Sequence, residues 1–212
     1  MWPTGAGGYG RAVVDPEVRA AYGERADEYV ALFGSIEATD AADRALVRAW
    51  AREQDGPVLD LGCGPGQWTA FLAAEGLAVT GIDPVDALLD HARRAHPDLA
   101  FESGSAQAID RADGAVGGVL AWYSLIHSTP EQVAVALAEL ARVIRPGGGL
   151  LLGHVVGPET AVFDHAVARA WHWPPGELAA LVASAGFAVT AQGSRVLSPT
   201  RVHGDLRAVR LG

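Results

Sequence analysis

The sequence predicts an α/β fold, a mostly parallel sheet with helices on both faces. Three observations carry that expectation. Pro57–Leu61 is a short apolar run that leads directly into a glycine turn, Gly62-Cys63-Gly64-Pro65-Gly66, and a helical pattern opens at Gln67. A second short run, Ala78–Ile82, closes in Gly81-Ile82-Asp83-Pro84, which puts Asp83 about twenty residues beyond Gly64. Short apolar runs then keep alternating with helical periodicity down the chain.

Taken in order, residues 1–14 are glycine-rich and read as loose. Asp15-Pro16 supplies an N-cap and a proline at the first helical position. The helix that follows carries Val18, Tyr22, Ala26, Tyr29 and Phe33 on one face. A second helix, Thr39–Glu53, is capped by Thr39 or Asp40 and buries Leu46, Val47 and Trp50. Strand one is Pro57–Leu61, and its helix, Gln67–Glu75, stops at Gly76. Strand two ends at Asp83, and the helix Asp86–Ala95 stops before Pro97. Strand three is short, Leu99–Glu102. Strand four, Ala115–Tyr123, is apolar enough to be central. A helix over Pro130–Ile144 leads to strand five, Leu150–Val155. In Gly157–Trp173, Val167, Arg169, Trp171 and Trp173 alternate with Ala166, Ala168, Ala170 and His172. That favours an extended cover segment, with a helix over Asp164–Trp171 the alternative. Pro174-Pro175-Gly176-Glu177 starts the next helix, which Gly186 ends. Phe187–Gln192 and Val202–Leu211 read as the last strands, joined by a loop, Gly193–Arg201.

Composition bounds the function. The 212 residues suit one domain, and half of them are apolar with 19% charged, as in ordinary globular proteins. A net charge of −9 argues against nucleic acid and anionic membranes as partners. No apolar run is long enough to cross a bilayer, and the N-terminus shows no secretion pattern. The single cysteine, Cys63, leaves no disulfide framework and no metal cluster, which fits a reducing cytoplasm. Inside the glycine turn it reads as a packing residue rather than a nucleophile. All basic residues are Arg, and Lys and Asn are absent.

The glycine turn lets the backbone approach a ligand, and an acidic residue at this spacing reaches a ribose hydroxyl. A dinucleotide or S-adenosylmethionine would satisfy that much. Val58-Leu59-Asp60-Leu61-Gly62-Cys63-Gly64-Pro65-Gly66 decides between them, because it resembles the first motif of the class I S-adenosylmethionine-dependent methyltransferases, in their small-molecule branch. Asp83 is similar to the acidic residue that holds the two ribose hydroxyls in that family. Arg145-Pro146-Gly147-Gly148-Gly149 before Leu150-Leu151-Leu152 is similar to the turn into their fifth strand. The resemblance covers roughly residues 55–212. It implies a Rossmann-like seven-stranded sheet of order 3-2-1-4-5-7-6 with the last strand antiparallel. It also implies S-adenosylmethionine as cofactor, S-adenosylhomocysteine as product and no metal. Residues 1–54 would form a helical cap over the cofactor and 157–173 a substrate cover.

Carried over residue by residue, the resemblance implies a cofactor site of Tyr22, Asp60, Gly62, Cys63, Gly64, Gly66, Asp83, Pro84, Ser105, Ala106 and Ala121. Tyr22 would meet the methionine end, and Pro84 with Val85 the adenine. Relatives carry Asp where Ser105 stands, so Ser105 or a backbone carbonyl would accept from the adenine amine. Strand four ends in Trp122-Tyr123-Ser124-Leu125-Ile126-His127, the kind of place where open α/β sheets bind ligands. His127 is the first candidate base, because imidazole titrates near neutral pH, and His154 at the end of strand five is the second. Tyr123, His165 and Trp171 are candidates for the acceptor. His172 could enter from the cover, whereas His91, His96 and His203 read as surface residues. Residues 121–124 lack the carboxylates of metal-dependent catechol-type relatives and the Asn/Asp-Pro-Pro-aromatic turn of amino-methyltransferases acting on bases. The expected function is methyl transfer to an oxygen or nitrogen of a small acceptor by a monomer or homodimer. The alternatives are a non-methylating reaction on the same bound cofactor and a nicotinamide oxidoreductase.

Overall fold

The computed structural model describes residues 15–198 and 201–212; the glycine-rich start, 1–14, lies outside them. The expected first helix is two: α1, Pro16–Glu24, and α2, Ala26–Phe33, meeting at Arg25. Asp15 caps α1 by accepting from the Glu17 N–H. A short 3-10 turn, Ile36–Ala38, leads to α3, Ala41–Ala51, capped by Asp40. Then follow β1, Val58–Leu61; α4, Gln67–Ala74; β2, Val79–Asp83; α5, Asp86–Ala95; and β3, Ala100–Ser103. The chain continues with β4, Val116–Trp122; α6, Pro130–Val143; and β5, Ile144–Val156. It ends with β6, Ala161–Phe163; β7, Ala170–Trp173; α7, Pro175–Ser184; β8, Phe187–Ser198; and β9, Arg201–Arg210. Among the described residues no helix is long and apolar enough to cross a membrane.

The main sheet runs β3-β2-β1-β4-β5-β9-β8, with β9 antiparallel to both neighbours. In the family's strand count that is the expected 3-2-1-4-5-7-6. The sheet holds nine strands rather than seven, and the extra pair explains the alternating stretch before Trp173. β5 outruns β4, which leaves an edge free at Val155 and Val156; β7 pairs with it there in parallel, and β6 folds back on β7. The segment is therefore extended, not helical. Two boundaries differ from expectation. Strand five begins at Ile144, because a register shift opposite Val116 and Gly118 absorbs the glycine run as an irregularity inside the strand. Most of the expected loop Gly193–Arg201 is paired strand: β8 runs to Ser198, which pairs with Arg201 at the start of β9.

Strand alternation sorts the core onto two faces. Leu59 and Leu61 of β1, Val119 and Ala121 of β4, and Leu150 and Leu152 of β5 pack with α6 and α7. Val58, Leu120 and Leu151 pack with Trp50 of α3 and with Trp68, Phe71 and Leu72 of α4. Both faces of the central strands are thus covered, and only their carboxyl ends stay open.

The turn after β1 and the loop after β4 meet at that open end, whereas Gly147 lies at the opposite end of the sheet. Gly62 has φ +70°, and a Cβ there would lie 2.2 Å from Cβ of Ser124. Gly147, with φ +80°, has nothing within 4 Å of an added Cβ. Gly147→Ala should therefore cost only the left-handed strain of about 1 kcal/mol. Gly62→Ala should cost a further 1–3 kcal/mol or so through overpacking. Urea midpoints of the two variants measure the difference; equal midpoints would mean that the turn moves freely away from Ser124.

Candidate active site

A cavity of about 660 Å³ opens above the carboxyl ends of β1, β2 and β4, a volume typical of small-molecule sites. Its floor is the β1 turn. The N–H groups of Gly62 and Cys63 both donate to the Ile82 carbonyl, at 2.7 and 3.1 Å, and that of Gly66 to the Cys63 carbonyl at 3.0 Å. The Gly64 N–H donates to Asp83 Oδ2 at 2.9 Å, while Val85 N–H donates to Oδ1 at 2.8 Å. Asp83 is buried, which pushes its carboxyl up to about 6, while the two backbone donors pull the other way. It lines the cavity, and each of its oxygens keeps a free lone pair. A Cβ on Gly64 would meet only the Tyr29 ring, at 3.7 Å, so this glycine leaves room on the cavity side.

Of the expected cofactor residues, Tyr22, Gly62, Cys63, Gly64, Asp83, Pro84, Ser105 and Ala106 line the cavity. Three do not. Asp60 lies on the same face of β1 as Val58, under α4, where its carboxylate accepts from Thr69 Oγ1 at 2.6 Å; burial pushes it up to about 7. Gly66 caps α4 with φ +89° and abuts the Phe101 ring, 2.8 Å from an added Cβ. Ala121 points into the α6 face of the core. Gln107, which the sequence did not single out, lines the cavity beside Ser105. Its Oε1 is buried without a partner among the described residues.

The opposite wall comes from distant elements. Tyr123 is the one non-glycine among the described residues with positive φ, +57°, at the point where β4 gives way to its loop. Such a backbone is held by its surroundings: its N–H donates to the Gly153 carbonyl at 3.2 Å, and its ring lies 5.2 Å from that of Trp122. His203, read from sequence as a surface residue, sets its ring 4.5 Å from that of Tyr123, tilted by 42°, and lines the cavity; its place on β9 brings it there. Phe163 of β6, His165, and Arg195 and Arg201 of the β8–β9 hairpin complete this wall. Arg195 is paired with Asp43 at 2.7 Å.

The histidines divide. His127 lines the cavity: its Nε2 lies 2.9 Å from Tyr22 Oη and its Nδ1 2.8 Å from the Arg169 carbonyl. Burial lowers its pKa. The His165 ring is 5.2 Å away, and burial brings its pKa down to about 4. The other three named earlier as candidates stay outside. His172 Nδ1 bonds the Glu159 carbonyl. Trp171 shares a face of β7 with Trp173, and Trp173 is buried in the core with Leu178, away from the cavity. His154 alternates with the cavity-lining Val155, so its ring turns the other way. There it packs on Gly204, with both ring nitrogens lacking a partner among the described residues. Among those residues no cluster of His, Cys, Asp or Glu could hold a metal ion.

His154 makes a stability prediction. Burial brings it down to about 4 from 6.5, so the fold holds it neutral and the unfolded chain takes up a proton first. Its contribution is present above pH 6.5 and lost as pH falls toward 4. Between pH 7.5 and 5 the loss should be about 2 kcal/mol, and His154→Leu should remove that share of the pH dependence. Urea unfolding at the two pH values measures it; identical pH dependence in variant and wild type would contradict the burial argument.

Comparison with known proteins agrees with this geometry. Residues 58–148 match a methyltransferase domain family. A demethylmenaquinone methyltransferase of Beutenbergia cavernae is 34% identical over 121 residues, 57% of this chain and 50% of the relative. An uncharacterised methyltransferase of Mycobacterium bovis is 33% identical over 166 residues, 63% of this chain and 66% of the relative. The chain thus spans between half and about two thirds of the length of these curated relatives. The fold is shared with the 1,6-didemethyltoxoflavin-N1-methyltransferase of Burkholderia thailandensis, solved with S-adenosylhomocysteine: TM-score 0.76 at 18% identity, over 99% of this chain and 94% of that one. The turn motif, the strand order and these matches agree: over residues 58–148 the chain is similar to the methyltransferase domain family, and its fold is that of the S-adenosylmethionine-dependent methyltransferases.

Proposed function

We propose that the protein transfers the methyl group of S-adenosylmethionine to an oxygen or nitrogen of a small acceptor. The observation that carries this reading is how the β1 turn spends its N–H groups. A dinucleotide site keeps such groups free for a pyrophosphate. Here those of Gly62, Cys63, Gly64 and Gly66 are all donated within the protein, and Pro65 has none. That favours a ligand without a pyrophosphate. The residues present suit S-adenosylmethionine: Asp83 offers two free lone pairs to ribose hydroxyls, the open side of Gly64 leaves space, and Gln107 Oε1 is an orphaned acceptor beside Ser105 for the adenine amine. Pro84, Val85 and Ala106 supply apolar contact around it.

When bound, the cofactor supplies an activated methyl on a sulfonium, so the protein's own task is alignment, exclusion of water and removal of a proton where the acceptor holds one. Tyr123, Phe163, His165 and His203 would orient the acceptor, and His127 is the proton-accepting candidate that faces the cavity. The acidic net charge and the single buried cysteine support action in a reducing cytoplasm on a small molecule rather than on nucleic acid.

The direct test is incubation with methyl-labelled S-adenosylmethionine and a panel of hydroxyl and amine acceptors, alongside calorimetry with S-adenosylhomocysteine and NAD. Label in an acceptor and preference for S-adenosylhomocysteine are expected. NAD preference would overturn the reading, and binding of the cofactor with no label transferred would favour a non-methylating reaction.

Asp83 adds a pH prediction. Ionised Asp83 accepts best from ribose, so affinity for S-adenosylhomocysteine should fall as pH drops through about 6. Asp83→Asn should weaken binding by about 1.5–3 kcal/mol at pH 8 and flatten that dependence. Unchanged affinity at pH 8 would remove Asp83 from the site.

A further inference from the structure

The hydrogen bonds of His127 leave it no free nitrogen. Its Nδ1 faces the carbonyl of Arg169, which can only accept, so Nδ1 carries the proton. In the neutral ring Nε2 is then an acceptor, and the Tyr22 hydroxyl donates to it. The free acceptor lone pair of the pair is thus on the Tyr22 oxygen, and Tyr22 lines the cavity. Tyr22 is held in place: its ring meets Tyr29 of α2 edge-on at 5.5 Å and that of His127 at the same distance.

We propose that Tyr22 and His127 form a proton relay in which Tyr22 Oη takes the proton of an aryl hydroxyl acceptor and passes its own to His127 Nε2. The proposal rests on the methyl-transfer reading above. The aromatic lining of Tyr22, Tyr29, Phe33, Tyr123 and Phe163 suits a flat aryl acceptor. The acceptor O–H breaks and its electron pair forms the new O–C bond to the methyl, while the S–C bond of the methyl breaks and its electron pair stays on sulfur, which becomes a neutral thioether. The acceptor proton bonds to Tyr22 Oη as the phenol proton moves to Nε2, leaving a neutral tyrosine and an imidazolium. The Arg169 carbonyl stabilises that imidazolium through Nδ1–H. Tyr22 could not serve alone as a phenolate, because burial, Tyr29 and the Asp83 carboxylate all raise its pKa. The charged and titratable groups around the pair are Tyr22 and Tyr29 of the cap, Asp83 of β2, and His165 beside the cover hairpin. Arg25 and Arg201 also act on His165.

The test uses the whole chain, methyl-labelled S-adenosylmethionine, and two probe acceptors: a nitrophenol ionised at pH 8 and an alkylphenol that is not. Tyr22→Phe and His127→Gln should each lower transfer to the alkylphenol by about 10²–10⁴-fold and to the nitrophenol by less than about tenfold. The wild-type rate should rise with pH through the titration of His127, and His127→Gln should lack that limb. An equal loss on both phenols would overturn the relay, since it would report lost packing. Nitrogen-15 spectra of the imidazole give a second readout. Wild-type His127 should be the Nδ1–H tautomer, and Tyr22→Phe should raise its pKa by removing the donor to the neutral ring. The opposite tautomer, or an unmoved titration, would overturn the relay. If S-adenosylhomocysteine binds the wild type but neither phenol is methylated, the relay to an aryl hydroxyl falls and the methyl-transfer reading stands. If S-adenosylhomocysteine does not bind, that reading falls first.

Discussion

The site depends on one strand end holding another. The Ile82 carbonyl and the Asp83 carboxylate, consecutive at the end of β2, together accept three successive N–H groups of the turn that follows β1. A buried carboxylate with two backbone donors is costly to desolvate and costly to disturb, because losing either donor strands charge in a poor solvent. The same group that shapes the turn also faces the cavity, so the geometry of the turn and its chemistry cannot be altered separately. Ser124 presses on Gly62 from the β4 side and closes the clamp.

A second buried acid, Asp60, has its pKa raised by burial and further by Asp83, yet it serves differently. Thr69 Oγ1 donates to it at 2.6 Å, which ties β1 to the first turn of α4 beneath the cavity floor. Asp60 supports the platform and Asp83 presents it. Above them the cap is lightly held. No residue of α1 is buried, and only Ala26 of α2 is. Contact with the body comes from a small apolar cluster, Ala26 with Val85 and Leu88, and from Arg19–Asp86 at 2.6 Å, Asp27–His91 at 2.9 Å, Arg25 with the Ala166 carbonyl, and Tyr22–His127. Exposed ion pairs of this kind each contribute at most about 1 kcal/mol.

What the sequence made legible was local. The β1 turn, Asp83 beyond it, the capping of α1 and the span of α5 all follow from residues within a few positions of one another, and all appear in place. Side-chain direction was not legible where it hinged on a strand boundary. His154 and Val155 are neighbours on β5, and only the pleat decides which one sees the cavity. The far wall was illegible for a different reason. His203, Arg195 and Phe163 come from β9, β8 and β6, and only a long hairpin and an edge pairing bring them to Tyr123. Asp60 misled because its motif position is that of a strand residue facing the helix, not the ligand.

The edge pairing of β7 has a consequence for descent. The cover hairpin is attached through Val155–His172 and Val156–Trp173, beyond the last residue of β4, and shares none of the contacts that fix the β1 turn. Insertions, deletions or exchanges between 157 and 173 would therefore reshape the cavity wall at Phe163, His165, Ala166 and Val167 while the clamp at Ile82 and Asp83 stays intact. Variation among descendants of this chain should concentrate there, giving a new cavity wall on an old platform.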